Sequence, residues 1–125
     1  MTEEIKSFIQ KDETAKRMVN YAEQLAKGIK DVSTSQIRNA YGTVKKLEMQ
    51  REFTEKSYRE LLLLKPKLAY ARGRTETRKR ETFKKLEDAL STAIDAVDVK
   101  QPETFKRFCN FFEAILAYHK ANGGK

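Results

Sequence analysis

The side chains best suited to binding chemistry form a run of cations in the middle of the chain. The run consists of Arg72, Arg74, Arg78, Lys79 and Arg80. Guanidinium groups suit phosphate oxygens, and Gly73 between the first two arginines lets the backbone come close to a ligand. Residues 65–85 contain nine basic and two acidic residues, so they carry +7 of the chain's net charge of +8. This local excess predicts contact with nucleic-acid phosphates.

Further cations extend the candidate phosphate-binding set. Lys65 and Lys67 lie just before the run, and Arg38 and Lys45 are seven residues apart, so they share a face of a predicted helix. Tyr41 borders that face, where its ring could stack on a base or ribose. Because no segment has the pattern of a base-reading element, we expect binding to be mostly independent of sequence and to weaken steeply with salt.

His119 and Cys109 are the residues that catalysis would most readily use, but the sequence offers neither of them a partner. A general base needs a group within hydrogen-bond reach, and a nucleophilic thiol needs an adjacent base. His119 instead extends the apolar stripe of the last predicted helix, and Cys109 lies between two phenylalanines on that stripe. One histidine and one cysteine ten residues apart do not form a metal site. We therefore predict no catalytic residue, no metal and no cofactor.

Length and composition indicate one small helical domain. The chain has 125 residues, of which 39% are hydrophobic and 35% charged, with only five glycines and two prolines. This composition disfavours low-complexity disorder and a turn-rich β fold. No apolar run is long enough for a membrane span, the start lacks the pattern of a signal peptide, and the single cysteine forms no internal disulfide. A cytoplasmic protein with no membrane partner is the expectation.

Apolar residues recur at intervals of three and four, which predicts a compact all-α bundle of about five helices in a single domain over residues 1–125. The expected helices cover residues 12–31, 34–64, 66–72, 79–98 and 102–121. Asp12 and Ser33 are the predicted N-caps, and residues 50–54 are the expected bend if 34–64 forms two helices rather than one. Gly73 is predicted to end the third helix in a left-handed C-cap.

Two segments are predicted to lie outside the packed helices. Residues 1–11 are expected to form either a short helix or a loose N-terminal arm. Residues 72–81 read as an exposed basic loop, because they are polar and follow Gly73.

Three segments resemble a known family. They read LLLLKPKLAYARGR at residues 61–74, FCNFFEAILAYHK at 108–120 and TSQIR at 34–38. In this order and spacing they are similar to the small subunit of type III-A CRISPR effector (Csm) complexes, over residues 33–124. The resemblance implies a non-catalytic all-helical protein that stacks in several copies, beside the backbone subunits that hold the CRISPR RNA. It further implies contact with the target RNA and the guide–target duplex.

The resemblance also distinguishes among the candidate residues. The basic positions that match the family's motifs are Arg38, Lys45, Lys65, Lys67, Arg72 and Arg74. The cations at 78–80 are supported by charge alone. A stacking role would also explain why apolar residues exceed the needs of one small core. The residues predicted to contribute to self-association are Leu61, Leu62, Leu63, Phe111 and Tyr118.

Two other classes of function remain open from the sequence. The first is a helical DNA-binding protein, which would need a recognition helix or a dimer that spaces two half-sites. The second is a basic adaptor whose cations meet the carboxylates of an acidic protein. Preference for duplex DNA would support the first, and copurification with protein alone would support the second. An enzyme built around His119 is disfavoured, because that residue has no apparent partner.

Overall fold

The computed structural model describes residues 2–124. These residues form seven α-helices, no sheet, and 3₁₀ turns at Asp12–Thr14 and Thr77–Lys79. The helices are α1 (Thr2–Gln10), α2 (Ala15–Gly28), α3 (Thr34–Glu48), α4 (Glu55–Leu62), α5 (Leu64–Arg74), α6 (Arg80–Ala96) and α7 (Pro102–Ala121). The predicted all-α, single-domain bundle is confirmed, with more and shorter helices than expected.

The N-terminal segment forms a packed helix, so of the two alternatives for residues 1–11 the loose arm is wrong. Ile5, Phe8 and Ile9 repeat at helical spacing and are buried in the core. The prediction that Asp12 caps α2 is also wrong, because its carboxylate instead accepts a hydrogen bond of 2.7 Å from the Arg107 guanidinium. That bond holds the pKa of the Asp12 carboxyl below its usual value.

The segment 34–64 forms two helices separated at the expected bend. Ser33 caps α3, since its hydroxyl accepts a hydrogen bond from the Gln36 amide at 3.4 Å. Thr54 and Ser57 form a reciprocal capping box at the start of α4. Residues 49–54 lie between these two helices, which agrees with the bend predicted at 50–54.

Helix α5 extends further than predicted, and this corrects the basic loop at 72–81. Gly73 does not adopt a left-handed conformation, and the helix continues through Arg74. Only residues 75 and 76 separate α5 from the next 3₁₀ turn. The Arg80 guanidinium donates to the carbonyls of Gly73, at 2.9 Å, and Thr75, at 3.0 Å. These bonds provide partners for carbonyls near the end of α5, a role the sequence analysis assigned to glycine.

Helix α7 has the predicted bounds and completes the core. It packs against α1, α2, α3 and α6, and it buries three phenylalanine rings and one isoleucine completely: Phe108, Phe111, Phe112 and Ile115. Pro102 occupies the first turn, where its missing amide proton is not needed. The helix ends at Ala121, and Gly123, whose φ is 80°, turns the chain so that the Gly124 amide donates to the His119 carbonyl at 2.8 Å.

Burial also corrects part of the predicted self-association set. Leu61 and Phe111 are fully buried within the bundle. They are core residues, so the prediction that they meet another subunit is wrong. Leu62 and Tyr118 are half-buried against the core, and Leu63 is 50% exposed. Of the predicted set, Leu62, Leu63 and Tyr118 remain accessible to a second subunit.

Candidate nucleic-acid interface

Helix α5 carries four of the predicted phosphate-binding cations, and two of them point toward α6. Lys65 Nζ lies 2.5 Å from an Asp95 carboxylate oxygen, and Arg72 Nε lies 2.7 Å from Glu87 Oε1. The spacing of seven residues on α5 is matched by eight on α6, as expected for helices that run antiparallel. Lys65 and Arg72 therefore tie α5 to α6, and part of their charge is neutralised within the subunit.

The other two cations of α5 lie on its exposed face. Lys67 and Arg74 are seven residues apart, and Tyr70 lies between them on the same side. All three are exposed, and neither cation is within ion-pair distance of a carboxylate in residues 2–124. The Arg74 guanidinium carbon lies 5.7 Å from the centre of the Tyr70 ring. We call Lys67, Tyr70 and Arg74 the outer α5 row.

The junction between α5 and α6 holds the remaining cations of the run. Arg78 Nε donates to Glu76 at 2.7 Å on the open surface, where such pairs contribute little. Arg80 is used to cap α5. Lys79 lies near Arg74 along a shallow pocket whose walls also contain Asp31 and Glu76. Of the predicted run 78–80, Lys79 is the cation that neither pairs with a carboxylate nor caps α5 among residues 2–124.

The cations on α3 lie on a different face from the outer α5 row. Arg38 is exposed, while Lys45 Nζ contacts Glu48 at 3.3 Å, and this hydrogen bond raises the pKa of Lys45. The predicted stacking residue Tyr41 packs edge-on against Phe112 of α7, with ring centres 5.3 Å apart. The Tyr41 ring is thus part of the core boundary, which does not support the predicted stacking role.

A groove of about 140 Å³ separates α3 from α5, next to the outer α5 row. Its α3 wall carries Gln36, Asn39 and Thr43, and its α5 wall includes Lys67. The side-chain nitrogen of Gln36, Nε2, lies 3.5 Å from the Ala71 carbonyl and 3.4 Å from the Thr75 hydroxyl, which links the two helices. Polar side chains of α3 therefore lie beside the outer α5 row, across the groove from Lys67.

The described residues offer no arrangement for catalysis or metal binding. His119 is fully buried, and its Nε2 lies 2.9 Å from the Val32 carbonyl, as the sequence analysis expected of a packed histidine. Burial raises the pKa of the Cys109 thiol to about 12, so the thiolate is scarce at neutral pH. No group of three potential metal ligands occurs among residues 2–124. Within the same residues, no helix is long and apolar enough to span a membrane.

Comparison with known proteins decides the family. The family model for Csm2 Type III-A matches residues 12–125. The chain belongs to the Csm2 Type III-A family. It is also 31% identical over 116 residues to a curated Streptococcus thermophilus protein named CRISPR system Cms protein Csm2. That match covers 89% of each chain, whereas no solved structure matches significantly. The resemblance to the small subunit of type III-A CRISPR effector complexes is confirmed.

Sequence reasoning missed Tyr70 as a candidate site residue. The residue stands three positions after Lys67 and four before Arg74, which on a helix places all three on one side. The spacing is present in the sequence, but a helix predicted to end at Gly73 leaves Arg74 outside it, so the three residues were not expected to share a face. Only a helix that continues to Arg74 aligns the tyrosine with both cations.

Proposed function

We propose that this Csm2 family member is a non-catalytic RNA-binding subunit of a type III-A CRISPR complex. The observation that carries the proposal is the outer α5 row, where two cations that have no acidic partner in the described part of the chain lie beside an exposed tyrosine. This row lies within the segment that holds most of the chain's net positive charge. Cations that keep their charge toward solvent are available to phosphate groups, so the row is the centre of the proposed interface.

The other predicted cations have graded roles in this proposal. Arg38 and Lys79 add phosphate contacts at the margins, since neither is paired with a carboxylate among residues 2–124. Lys45, Lys65, Arg72, Arg78 and Arg80 already bond within the subunit, so we expect each to contribute less. Since the contacts are to phosphates, binding is mostly independent of base sequence.

The partners follow from membership of the family. We infer that the subunit assembles with other effector-complex subunits and with further copies of itself in the cytoplasm. There it contacts the target RNA and its duplex with the CRISPR RNA. The buried His119 and Cys109 support a role without catalysis, because neither side chain is accessible to a substrate.

The salt dependence of RNA affinity tests this function. The double variant Lys67→Gln/Arg74→Gln removes two charges from the row, and Arg17→Gln/Lys106→Gln removes the same two residue types from exposed positions on α2 and α7. For single-stranded RNA, each lost phosphate contact reduces the slope of log affinity against log salt by about 0.7. We expect the row variant to lower the slope by about 1.4 and the control variant to leave it unchanged.

The same pair of variants should be assembled into the complete complex, where target-RNA affinity is measured at several salt concentrations. Equal affinity of row and control variants in that complex would contradict the proposal. Stronger binding of duplex DNA than of RNA at equal salt would favour the DNA-binding alternative. Copurification of the natural protein with acidic proteins and no RNA would favour an adaptor.

A further inference from the structure

We propose that Tyr70 is a stacking platform for one unpaired base of the bound RNA. The inference rests on the proposed RNA-binding function and adds a ligand subsite to it. Stacking would give this part of the interface an interaction that does not depend on charge. The occupant is a nucleobase that is not paired within a duplex, of any of the four types, since every base has a stacking face.

Tyr70 differs from the other tyrosines of the chain in where its ring lies. The other four, Tyr21, Tyr41, Tyr58 and Tyr118, are partly buried and pack against the hydrophobic core. Tyr70 is not among the half-buried side chains that pack against that core, and it is 67% exposed. A ring that lies mostly outside the core is accessible to a ligand, and its position on a helix fixes the side of α5 from which it projects.

The groups around the ring fit a nucleotide. The Arg74 guanidinium lies over the ring at 5.7 Å, and the high exposure of Tyr70 leaves the rest of the ring surface open to solvent. A base bound there would complete a stack in which the Tyr70 ring lies between the Arg74 guanidinium and the base. Lys67 is one turn away and has no carboxylate within ion-pair distance among residues 2–124, so it can contact a phosphate on the neighbouring part of the strand.

The geometry favours an unpaired base over a paired one. Inside an A-form duplex both faces of a base are covered by its neighbours, and proteins contact such a duplex through phosphates and 2′-hydroxyl groups. A ring that projects from a helix surface offers a flat face, which only a splayed or single-stranded base can cover. The subsite would thus give unpaired RNA a higher affinity than RNA duplex, a preference that the cations alone do not provide.

Three substitutions at Tyr70 separate stacking from charge and from bulk. Tyr70→Phe keeps the ring, Tyr70→Leu keeps apolar volume without it, and Tyr70→Ala removes both. The probes are a single-stranded RNA with one 2-aminopurine and a fully paired RNA of the same length. Each is titrated into the isolated subunit and into the assembled complex. Thermal unfolding of each variant checks that the substitution at this exposed position leaves the fold intact.

We expect Tyr70→Ala and Tyr70→Leu to weaken binding of the single strand by about tenfold, and Tyr70→Phe to change it less than about twofold. The slope against salt should stay that of the natural protein, because no charge is lost. Quenching of 2-aminopurine should disappear with the ring, and affinity for the paired RNA should not change.

Three results would overturn the inference, and they are distinct from failure of the proposed function. One is equal single-strand affinity for Tyr70→Ala and the natural protein while Lys67→Gln/Arg74→Gln still weakens binding; RNA binding then stands without a stacking subsite. Another is a loss of affinity that is as large for paired RNA. The third is an unchanged RNA affinity with a change in oligomeric mass, which assigns Tyr70 to a protein contact. Failure of RNA binding in both subunit and complex would reject the function itself.

Discussion

At the scale of single residues, four consecutive leucines show how one side-chain type takes different roles. Leu61 and Leu64 are buried in the core, Leu62 is half-buried, and Leu63 is 50% exposed. The break between α4 and α5 falls at Leu63, which therefore leaves the core-facing side. The sequence predicted that Leu61, Leu62 and Leu63 contribute to self-association, but it could not assign each leucine to core or surface. Whether each leucine lies in the core or at the surface depends on which helices pack against the break between α4 and α5.

Leu61→Ala and Leu63→Ala provide a matched pair, since they delete the same atoms two residues apart. We expect Leu61→Ala to lower the free energy of unfolding by about 2–5 kcal/mol, because a large core side chain is replaced by a cavity. Leu63→Ala should change it by less than about 1 kcal/mol. Urea unfolding followed by circular dichroism measures both, and similar losses for the two variants would contradict this burial pattern.

At the scale of helices, the prediction from sequence succeeded where side chains or prolines mark an end locally. Pro102 and the glycines after Asn122 gave both ends of α7, and Ser33 gave the start of α3. The prediction failed at the end of α5, because the group that donates to the carbonyls there is the Arg80 guanidinium, on the following helix. The inward or outward direction of each α5 cation could not be predicted for a related reason. It requires knowing that α6, with Glu87 and Asp95, packs along one side of α5.

Arg72 and Arg74 test whether one α5 cation is bound to α6 and the other faces solvent, because they are the same residue type within one turn. Arg72→Met leaves Glu87, whose side chain is only 13% exposed, without its ionic partner. We expect a loss of about 1–2 kcal/mol in the free energy of unfolding, between the values for exposed and buried pairs. Arg74→Met removes no ion pair and should cost less than about 0.5 kcal/mol.

The Arg72 pair can be isolated by a double-mutant cycle. Glu87→Gln is combined with Arg72→Met, and thermal or urea unfolding is measured for all four proteins. A coupling of about 0.5–1.5 kcal/mol is expected, since the ion pair spans two helices and is partly shielded from water. Coupling near zero would mean that the observed ion pair adds nothing to the packing of α5 on α6.

At the scale of the whole molecule, two residues of the predicted self-association set, Leu62 and Leu63, lie at the break between α4 and α5. Leu62 and Leu63 line a shallow pocket together with Glu55, Lys56 and Arg59. We expect Leu63→Glu to reduce the mass measured by light scattering at high micromolar concentration, because it places a charge in the proposed contact. Met49→Glu alters another exposed apolar residue, 77% accessible, and serves as the control. A natural protein that is strictly monomeric under these conditions would contradict self-association.

The packing of α7 has a consequence for synthesis in the cell. This helix follows all the others in chain order, yet it touches α1, α2, α3 and α6 and supplies much of the aromatic core. While the ribosome is still making residues beyond Pro102, the earlier helices therefore display the apolar surface that α7 will later cover. A nascent chain in that state is a target for chaperones and for aggregation. The core is complete only when α7 has emerged, so premature termination within α7 should yield an unfolded fragment that is degraded.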